Sequence, residues 1–292
     1  GYGDSDDGYG DADSPSASVF TETAVWGEDP GGVQFVMPNG LTIDMDGQVY
    51  STEFQGGHLR KFTPEGALEL EAGGAGDEPG MLANPIGVAV AGNGTIYVSE
   101  SGSSRVSRIE PDGAFRSAWG SAGNEPGQFF SAMGIAVSDT HEVFVADFGN
   151  HRVQVFDAEG AFLREWGQAG SAPGDLENPI GVQVGPAGDV WVVDSGNERV
   201  QVFSQEGELI RVFEDVGPGP QIISLNDAGE FYVSSPWADS QVRHFSPNGE
   251  LLGRVADGLS GPHGTATGPS GTVYVADTAN GVIRTFTRAE EG

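Results

Sequence analysis

The sequence predicts an all-β protein in which a unit of four short strands is repeated six times. A segment that reads Pro-Ile-Gly-Val in its clearest copies recurs along the chain, with equivalent positions at 40, 87, 134, 181, 222 and 264. The spacings between these positions are 47, 47, 47, 41 and 42 residues, and no helical hydrophobic period runs for as many as 10 residues. Repeats of about 40–50 residues that each hold four strands are typical of a β-propeller. We therefore expect a six-bladed β-propeller of four-stranded blades.

The fourth repeat illustrates how each unit divides into strands. Its first strand follows the recurring segment and ends at the turn Ala187-Gly188. The second is the apolar and aromatic run Val190-Trp191-Val192, the third starts near Arg199, and the fourth is Leu209 to Phe213. β-Branched and aromatic residues bounded by Gly and Asp favour strands, so each unit is expected to form one antiparallel sheet.

The two ends of the chain complement each other. The sixth unit stops after its third strand, Val282 to Phe286, and lacks a fourth. A matching fourth strand, Val19 to Trp26, lies at the start of the chain. We expect this N-terminal strand to complete the last blade and close the ring without a free edge. The predicted organisation is therefore an acidic Gly/Asp-rich tail at 1–18 and a propeller at 19–292.

Two motifs resemble a known family. The first motif occurs as Asp147-Phe148-Gly149-Asn150-His151-Arg152-Val153 and again as Asp194-Ser195-Gly196-Asn197-Glu198-Arg199-Val200. The second is the linker between two repeats, Trp119 to Phe129. These segments resemble the NHL-repeat six-bladed propellers, and the resemblance extends over about residues 19–292. It implies the fold and leaves the activity open, because the family includes amidating lyases, sensor domains, RNA-binding modules and interaction scaffolds.

The composition excludes some partners. There are 43 acidic against 13 basic residues, a formal net charge of −30, and Lys61 is the only lysine. Such a surface repels nucleic acid and anionic lipid, and no apolar run is long enough to cross a bilayer. The chain contains no cysteine, which excludes disulfides and thiolate chemistry. We expect an extracytoplasmic protein (periplasmic, cell-surface or secreted), with surface or lipid anchoring through the N-terminal tail as a further hypothesis.

Comparison of the repeats separates structural residues from candidates for function. The second strand ends in an acidic residue in five repeats, and a basic residue follows five positions later in three of them, as in Asp194 and Arg199. A pair that recurs from blade to blade indicates a structural ion pair rather than a unique site. His58 falls in the same column after Glu53, so we interpret it as a substitute for arginine.

The position just before the innermost strand can reach the channel mouth. In chain order it reads Asn39, Ile86, Met133, Ile180, Gln221 and His263. The segment Pro262-His263-Gly264 resembles that of the amidating lyases, in which the matching histidine binds catalytic zinc. A zinc site of that kind needs about three histidines, so the lyase site is incomplete here. A calcium- or zinc-dependent hydrolase or lyase that uses Asn39, Gln221 and His263 at the channel mouth remains the alternative, although these residues are predicted to be scattered around the ring.

The fifth repeat contains an extra residue in its loop Ser235 to Asp239. We expect Trp237, together with Asp239, to contact a partner, because exposed loop aromatics are frequent contact points. The sequence thus favours a non-catalytic, cofactor-free protein-interaction or scaffold module. A small-molecule or glycan sensor is the third possibility.

Overall fold

The computed structural model describes residues 20–27 and 32–289, which form six four-stranded antiparallel sheets around a central channel. The first strand of the chain is β1 (Phe20–Trp26). Blades 1 to 3 are formed, from the innermost strand outward, by β2 (Pro38–Ile43), β3 (Val49–Glu53), β4 (His58–Phe62), β5 (Leu68–Gly73); β6 (Pro85–Val90), β7 (Ile96–Glu100), β8 (Arg105–Ile109), β9 (Phe115–Trp119); and β10 (Ala132–Val137), β11 (Val143–Asp147), β12 (Arg152–Phe156), β13 (Phe162–Trp166).

Blades 4 to 6 repeat the same order. Their strands are β14 (Pro179–Val184), β15 (Val190–Asp194), β16 (Arg199–Phe203), β17 (Leu209–Phe213); β18 (Ile222–Leu225), β19 (Phe231–Ser235), β20 (Gln241–Phe245), β21 (Leu251–Arg254); and β22 (Pro262–Thr267), β23 (Val273–Asp277), β24 (Val282–Arg288), with β1 outermost. Three single 3₁₀ turns follow β11, β15 and β23, at Phe148–Asn150, Ser195–Asn197 and Thr278–Asn280. Within the described residues, no helix is long and apolar enough to span a bilayer.

The prediction that the N-terminal strand closes the ring is confirmed. Strand β1 pairs antiparallel with β24, from Phe20 opposite Arg288 to Trp26 opposite Ile283, with an irregularity between Glu22 and Ala24. An ion pair of 2.8 Å between Arg284 and Glu22 ties the two strands together. The predicted tail at 1–18 and Val19 lie outside the described residues.

The tryptophan at the end of an outer strand packs between two blades. The ring of Trp119 lies 5.9 Å from Tyr97 of its own blade and 5.8 Å from Phe156 of the next. Trp26 packs in the same way between blades 6 and 1, where the ring closes. Its ring centroid lies 5.6 Å from that of Tyr274 in blade 6 and 5.6 Å from that of Phe62 in blade 1. Buried aromatic side chains of this size contribute much of the stability of a core. The recurring tryptophan is therefore explained by packing between neighbouring blades.

The recurring glycine sits where two blades approach most closely. A Cβ atom built on Gly134 would lie less than 3.0 Å from the carbonyl oxygen of Ile180 in blade 4. The same holds for Gly40 against Ile86 and for Gly264 against Asn39, which closes the ring. Glycine is needed at these positions because a side chain would separate neighbouring innermost strands.

The repeated acid and base form the expected structural ion pairs. Arg152 donates from Nε to Asp147 at 2.8 Å, and Arg199 donates to Asp194 at 2.7 Å. His58 does lie beside Glu53, with its Nδ1 4.0 Å from the carboxylate, but the closer partner of Glu53 is Arg60, two residues further along the strand. Residues two apart on a strand share one face, so arginine at either position reaches the carboxylate.

Candidate functional site

All six residues of the predicted channel column line one pocket. It has a volume of about 280 Å³ and lies where the innermost strands begin. The side chains around it come from all six blades: Met37, Asn39, Phe54, Ile86, Met133, Phe148, Ile180, Gln221, Ile222, Trp237 and His263. This mouth of the channel is therefore a real concavity, which qualifies it as the candidate site.

The three polar residues of the column are neighbours, and the prediction that they are scattered was wrong. Gln221, His263 and Asn39 belong to blades 5, 6 and 1, and blades 6 and 1 adjoin because the ring closes. They form a polar arc opposite an apolar arc from blades 2, 3 and 4. The chain order hides this arrangement, since Asn39 and His263 stand at opposite ends of the sequence.

His263 is a buried, oriented side chain. It is 7% exposed, and its Nδ1 lies 3.0 Å from the carbonyl oxygen of Gly261 and 3.1 Å from Oγ1 of Thr278. Burial lowers its pKa, although the bond to Gly261 opposes that shift. A carbonyl oxygen only accepts, so Nδ1 carries a proton, and in the neutral imidazole Nε2 is an acceptor. Within the described residues, neither this Nε2 nor the side-chain amides of Asn39 and Gln221 form a hydrogen bond with protein atoms.

We expect the buried histidines to make the protein less stable in acid. Burial lowers the folded-state pKa of both His263 and His244, whereas an unfolded chain has an ordinary histidine pKa near 6.5. Their contribution to stability is therefore complete above about pH 6.5 and falls as the pH drops below it, by up to about 1.4 kcal/mol per pH unit for each histidine. Urea unfolding from pH 7.5 to pH 5.0 measures this slope.

The variants His263→Phe and His244→Phe should each show a smaller loss of the free energy of unfolding per pH unit below about pH 6.5, because each lacks one of the two buried histidines. His244 is packed against Tyr232, with ring centroids 4.5 Å apart, and its Nε2 faces Glu230 at 3.2 Å, which Arg288 also contacts at 3.6 Å. Glu53, whose pKa is raised by burial, acts in the opposite direction and is common to all three proteins. Identical slopes in the wild type and in both variants would contradict the assignment.

Trp237 lies at the rim of the same pocket. Its side chain is 69% exposed, and its ring stands edge-on to that of His263 with centroids 4.9 Å apart and an interplanar angle of 78°. The residue predicted to contact a partner and the residues predicted for a metal site therefore belong to one place. Asp239, in contrast, forms an ion pair with Arg243, whose Nη1 also donates to Ser235 at 3.1 Å. Asp239 thus supplies the carboxylate that blade 5 lacks at Ser235.

Two further aromatic residues at the mouth were missed from the sequence. Phe54 and Phe148 directly follow the acidic residue that ends the second strand in blades 1 and 3, and Trp237 extends from the corresponding loop of blade 5. Blades 2, 4 and 6 have a hydroxyl residue there, which donates to a backbone carbonyl: Ser101 to Asn84, Ser195 to Pro220 and Thr278 to Pro38. The aromatic residues thus come from alternate blades, and this alternation was the signal available in the sequence.

The polar arc does not fit the metal sites that were considered. Catalytic zinc takes about three protein ligands, commonly histidines or carboxylates, whereas the arc offers one imidazole nitrogen and two amides. Calcium prefers several carboxylate oxygens, and none lines the pocket. The amide residues Asn84 and Asn178, in the loops before the innermost strands of blades 2 and 4, occupy left-handed turn positions with φ of 48° and 51° and do not line the pocket. In the described part of the chain, no three His, Cys, Asp or Glu side chains converge.

The opposite mouth of the channel has a different character. The turns between the first two strands surround it, and its cavities of about 180, 370 and 380 Å³ are lined by aspartates that include Asp46, Asp139 and Asp227. Met45, at 81% exposure, projects from one of these turns. The two ends therefore present an acidic face and an aromatic face to solvent.

Comparison with known proteins agrees with this architecture. The NHL repeat model matches residues 82–109, 132–156, 176–203 and 259–286, which lie in blades 2, 3, 4 and 6. The chain is an NHL-repeat β-propeller. The matched residues leave out blades 1 and 5. A search of curated proteins finds no match.

Solved structures share the propeller of this NHL-repeat protein at low sequence identity. A streptogramin B lyase aligns with 15% identity and a TM-score of 0.66 over 92% of this chain and 97% of that one. A gluconolactonase from Xanthomonas campestris aligns with 14% identity and a TM-score of 0.68 over 87% and 86%. A chain from a nidogen/laminin complex aligns with 18% identity and a TM-score of 0.65 over 78% and 84%. Two of these neighbours are enzymes and one is part of a protein complex, so the shared fold does not specify an activity.

Proposed function

We propose that this protein is a non-catalytic, extracytoplasmic NHL-repeat propeller that binds a protein partner on the face around the channel pocket. The exposed indole of Trp237 carries the proposal. A large aromatic side chain that stands 69% exposed on a buried histidine ring is the kind of residue that dominates binding energy in protein interfaces.

Other exposed apolar residues on this face support it. Phe130, at 65% exposure, and Val36 lie in loops that enter the innermost strands of blades 3 and 1, and their backbone amides donate to the carboxylates of Asp147 and Glu53. These bonds hold the loops in place, so the face is preorganised for docking. The neighbour from the nidogen/laminin complex is an example of this fold within a protein assembly.

The extracytoplasmic location is supported by composition. A net charge of −30 with a single lysine suits a protein in a salt-rich medium, where screening relieves the repulsion among its carboxylates. The same charge argues against nucleic acid as the partner. Surface anchoring through residues 1–18 is part of this proposal, and labelling of intact cells with a membrane-impermeant reagent tests the location.

The partner itself tests the role of Trp237. Proteins crosslinked to the native protein are identified, purified and titrated against the wild type and the variant Trp237→Ala. We expect the variant to weaken binding of the true partner at least about tenfold, because interface aromatic hot spots are worth about 2 kcal/mol or more. The control Met45→Ala removes a similarly exposed side chain from the opposite mouth and should change the Kd by less than about twofold.

Unchanged affinity in Trp237→Ala would contradict docking on this face.

The rival function is a calcium- or zinc-dependent hydrolase or lyase that uses Asn39, Gln221 and His263. It is favoured by the contiguity of these residues in the polar arc. Metal analysis of protein purified without chelator, with thermal-shift titration of Ca²⁺ and Zn²⁺, separates the two. Stoichiometric metal lost in His263→Phe would support the rival.

A further inference from the structure

The aromatic residues at the pocket come from alternate blades. Phe54, Phe148 and Trp237 line it from blades 1, 3 and 5, and they are therefore spread around its circumference. Aromatic faces attract cations through the negative potential of their π systems, and several rings around one pocket are the usual receptor for a quaternary ammonium group. The methionine and isoleucine side chains between them, Met133 and Ile86 among others, offer apolar contact to methyl groups.

The charges near the pocket are already balanced within the protein. Glu53 and Asp147, which precede Phe54 and Phe148, are bound by Arg60 and Arg152. Asp239 is bound by Arg243 in the same way. Among the described residues, no Asp, Glu, Lys or Arg side chain lines the pocket itself. A strongly hydrated ammonium or metal ion would lose its water there without a carboxylate in return, whereas a methylated cation has little hydration to lose.

The net charge of the protein favours a positively charged ligand. Its net charge of −30 attracts cations over a long range and repels anions. The polar arc then provides hydrogen-bonding groups beside the aromatic ones, since Nε2 of His263 accepts and the amides of Asn39 and Gln221 both donate and accept. The volume of about 280 Å³ lies at the lower end of ligand pockets, which favours a small molecule.

From these observations we infer that the channel mouth binds a small quaternary ammonium compound of the choline type, with the trimethylammonium group among Phe54, Phe148 and Trp237 and its polar tail on the arc of Asn39, Gln221 and His263. This site goes beyond the proposed docking of a protein partner, with which it shares Trp237. The test uses the purified full chain alone, so its outcome does not depend on the partner.

Isothermal titration calorimetry at constant ionic strength compares choline with 3,3-dimethylbutan-1-ol, which has the same shape without the charge. We expect choline to bind and the neutral alcohol to bind at least about tenfold more weakly. The variants Phe148→Leu, Phe54→Leu and Trp237→Leu should each weaken choline binding several-fold. Met45→Leu is the control, because Met45 is exposed at the opposite mouth and does not line this pocket, and it should leave the Kd unchanged.

The assignment is overturned if choline does not bind, if the alcohol binds as tightly as choline, or if all three pocket variants bind like the wild type. Thermal unfolding of each variant confirms that it is folded, and three separate substitutions keep the test valid if one of them is not. Phosphatidylcholine vesicles and a trimethyl-lysine peptide test the other sources of the same group. Binding of either one in the absence of choline binding would also overturn the assignment to a small molecule.

Discussion

Replacing Gly134 by alanine is expected to lower the free energy of unfolding by about 3 kcal/mol. The new Cβ would lie less than 3.0 Å from the backbone carbonyl of Ile180 in the next blade. A clash with backbone cannot be relieved by a change of rotamer, so the innermost strands of blades 3 and 4 must separate. Urea unfolding, followed by tryptophan fluorescence, measures the loss.

The matched control is Gly92→Ala in a turn of blade 2. The nearest atom to its Cβ is Cε of Met45 at 3.7 Å, an ordinary contact, and Gly92 is not among the glycines with positive φ. We expect its stability to change by less than about 1 kcal/mol. Equal effects of the two substitutions would show that close contact between blades is not the reason for glycine at position 134.

Replacing Arg199 by methionine is expected to destabilise the protein by about 3–5 kcal/mol, because it leaves the buried carboxylate of Asp194 without its cation. Arg199 donates from Nε to Asp194 at 2.7 Å and from its Nη atoms to the carbonyls of Ser171, Ala172 and Asp175 at 2.9–3.0 Å. It thereby joins strand β16 to the linker that precedes its blade. Differential scanning calorimetry and urea unfolding should agree on the loss.

Arg116→Met serves as the control for charge removal. The side chain of Arg116 is 66% exposed and lies 3.7 Å from Glu110, so the pair is screened by water. Exposed ion pairs contribute about 0–1 kcal/mol, and a correspondingly small change is expected. If Arg199→Met were as mild as this control, the acid–arginine column would not be a structural clamp.

The repeated columns of the sequence were sufficient to predict the blades. Gly134 and Arg199 each recur in equivalent positions, and both prove to be structural at the predicted places. The columns did not reveal Arg60, which reaches Glu53 together with His58 because residues two apart on a strand share a face. Asp239 forms an ion pair with Arg243 in the structure, and its contact with a partner stays a prediction.

The candidate site was harder to predict because its residues are far apart in the chain. Asn39 and His263 were each singled out, but the chain order placed them apart. Phe54 and Phe148 were missed because each one is unremarkable in its own repeat. They form a common site with Trp237 only because alternate blades of the folded propeller bring them to one pocket.

The sequence by itself determined the number of blades, their strands and the closure of blade 6 by β1, because each blade is a local unit whose pattern repeats in the residues that form it. Only the tertiary structure decided which side chains share the channel mouth. The strands are arranged on a circle, and contacts on a circle depend on angular position rather than on distance along the chain. Ring closure thus places Asn39 beside His263 and gathers three aromatic residues from alternate blades around one pocket.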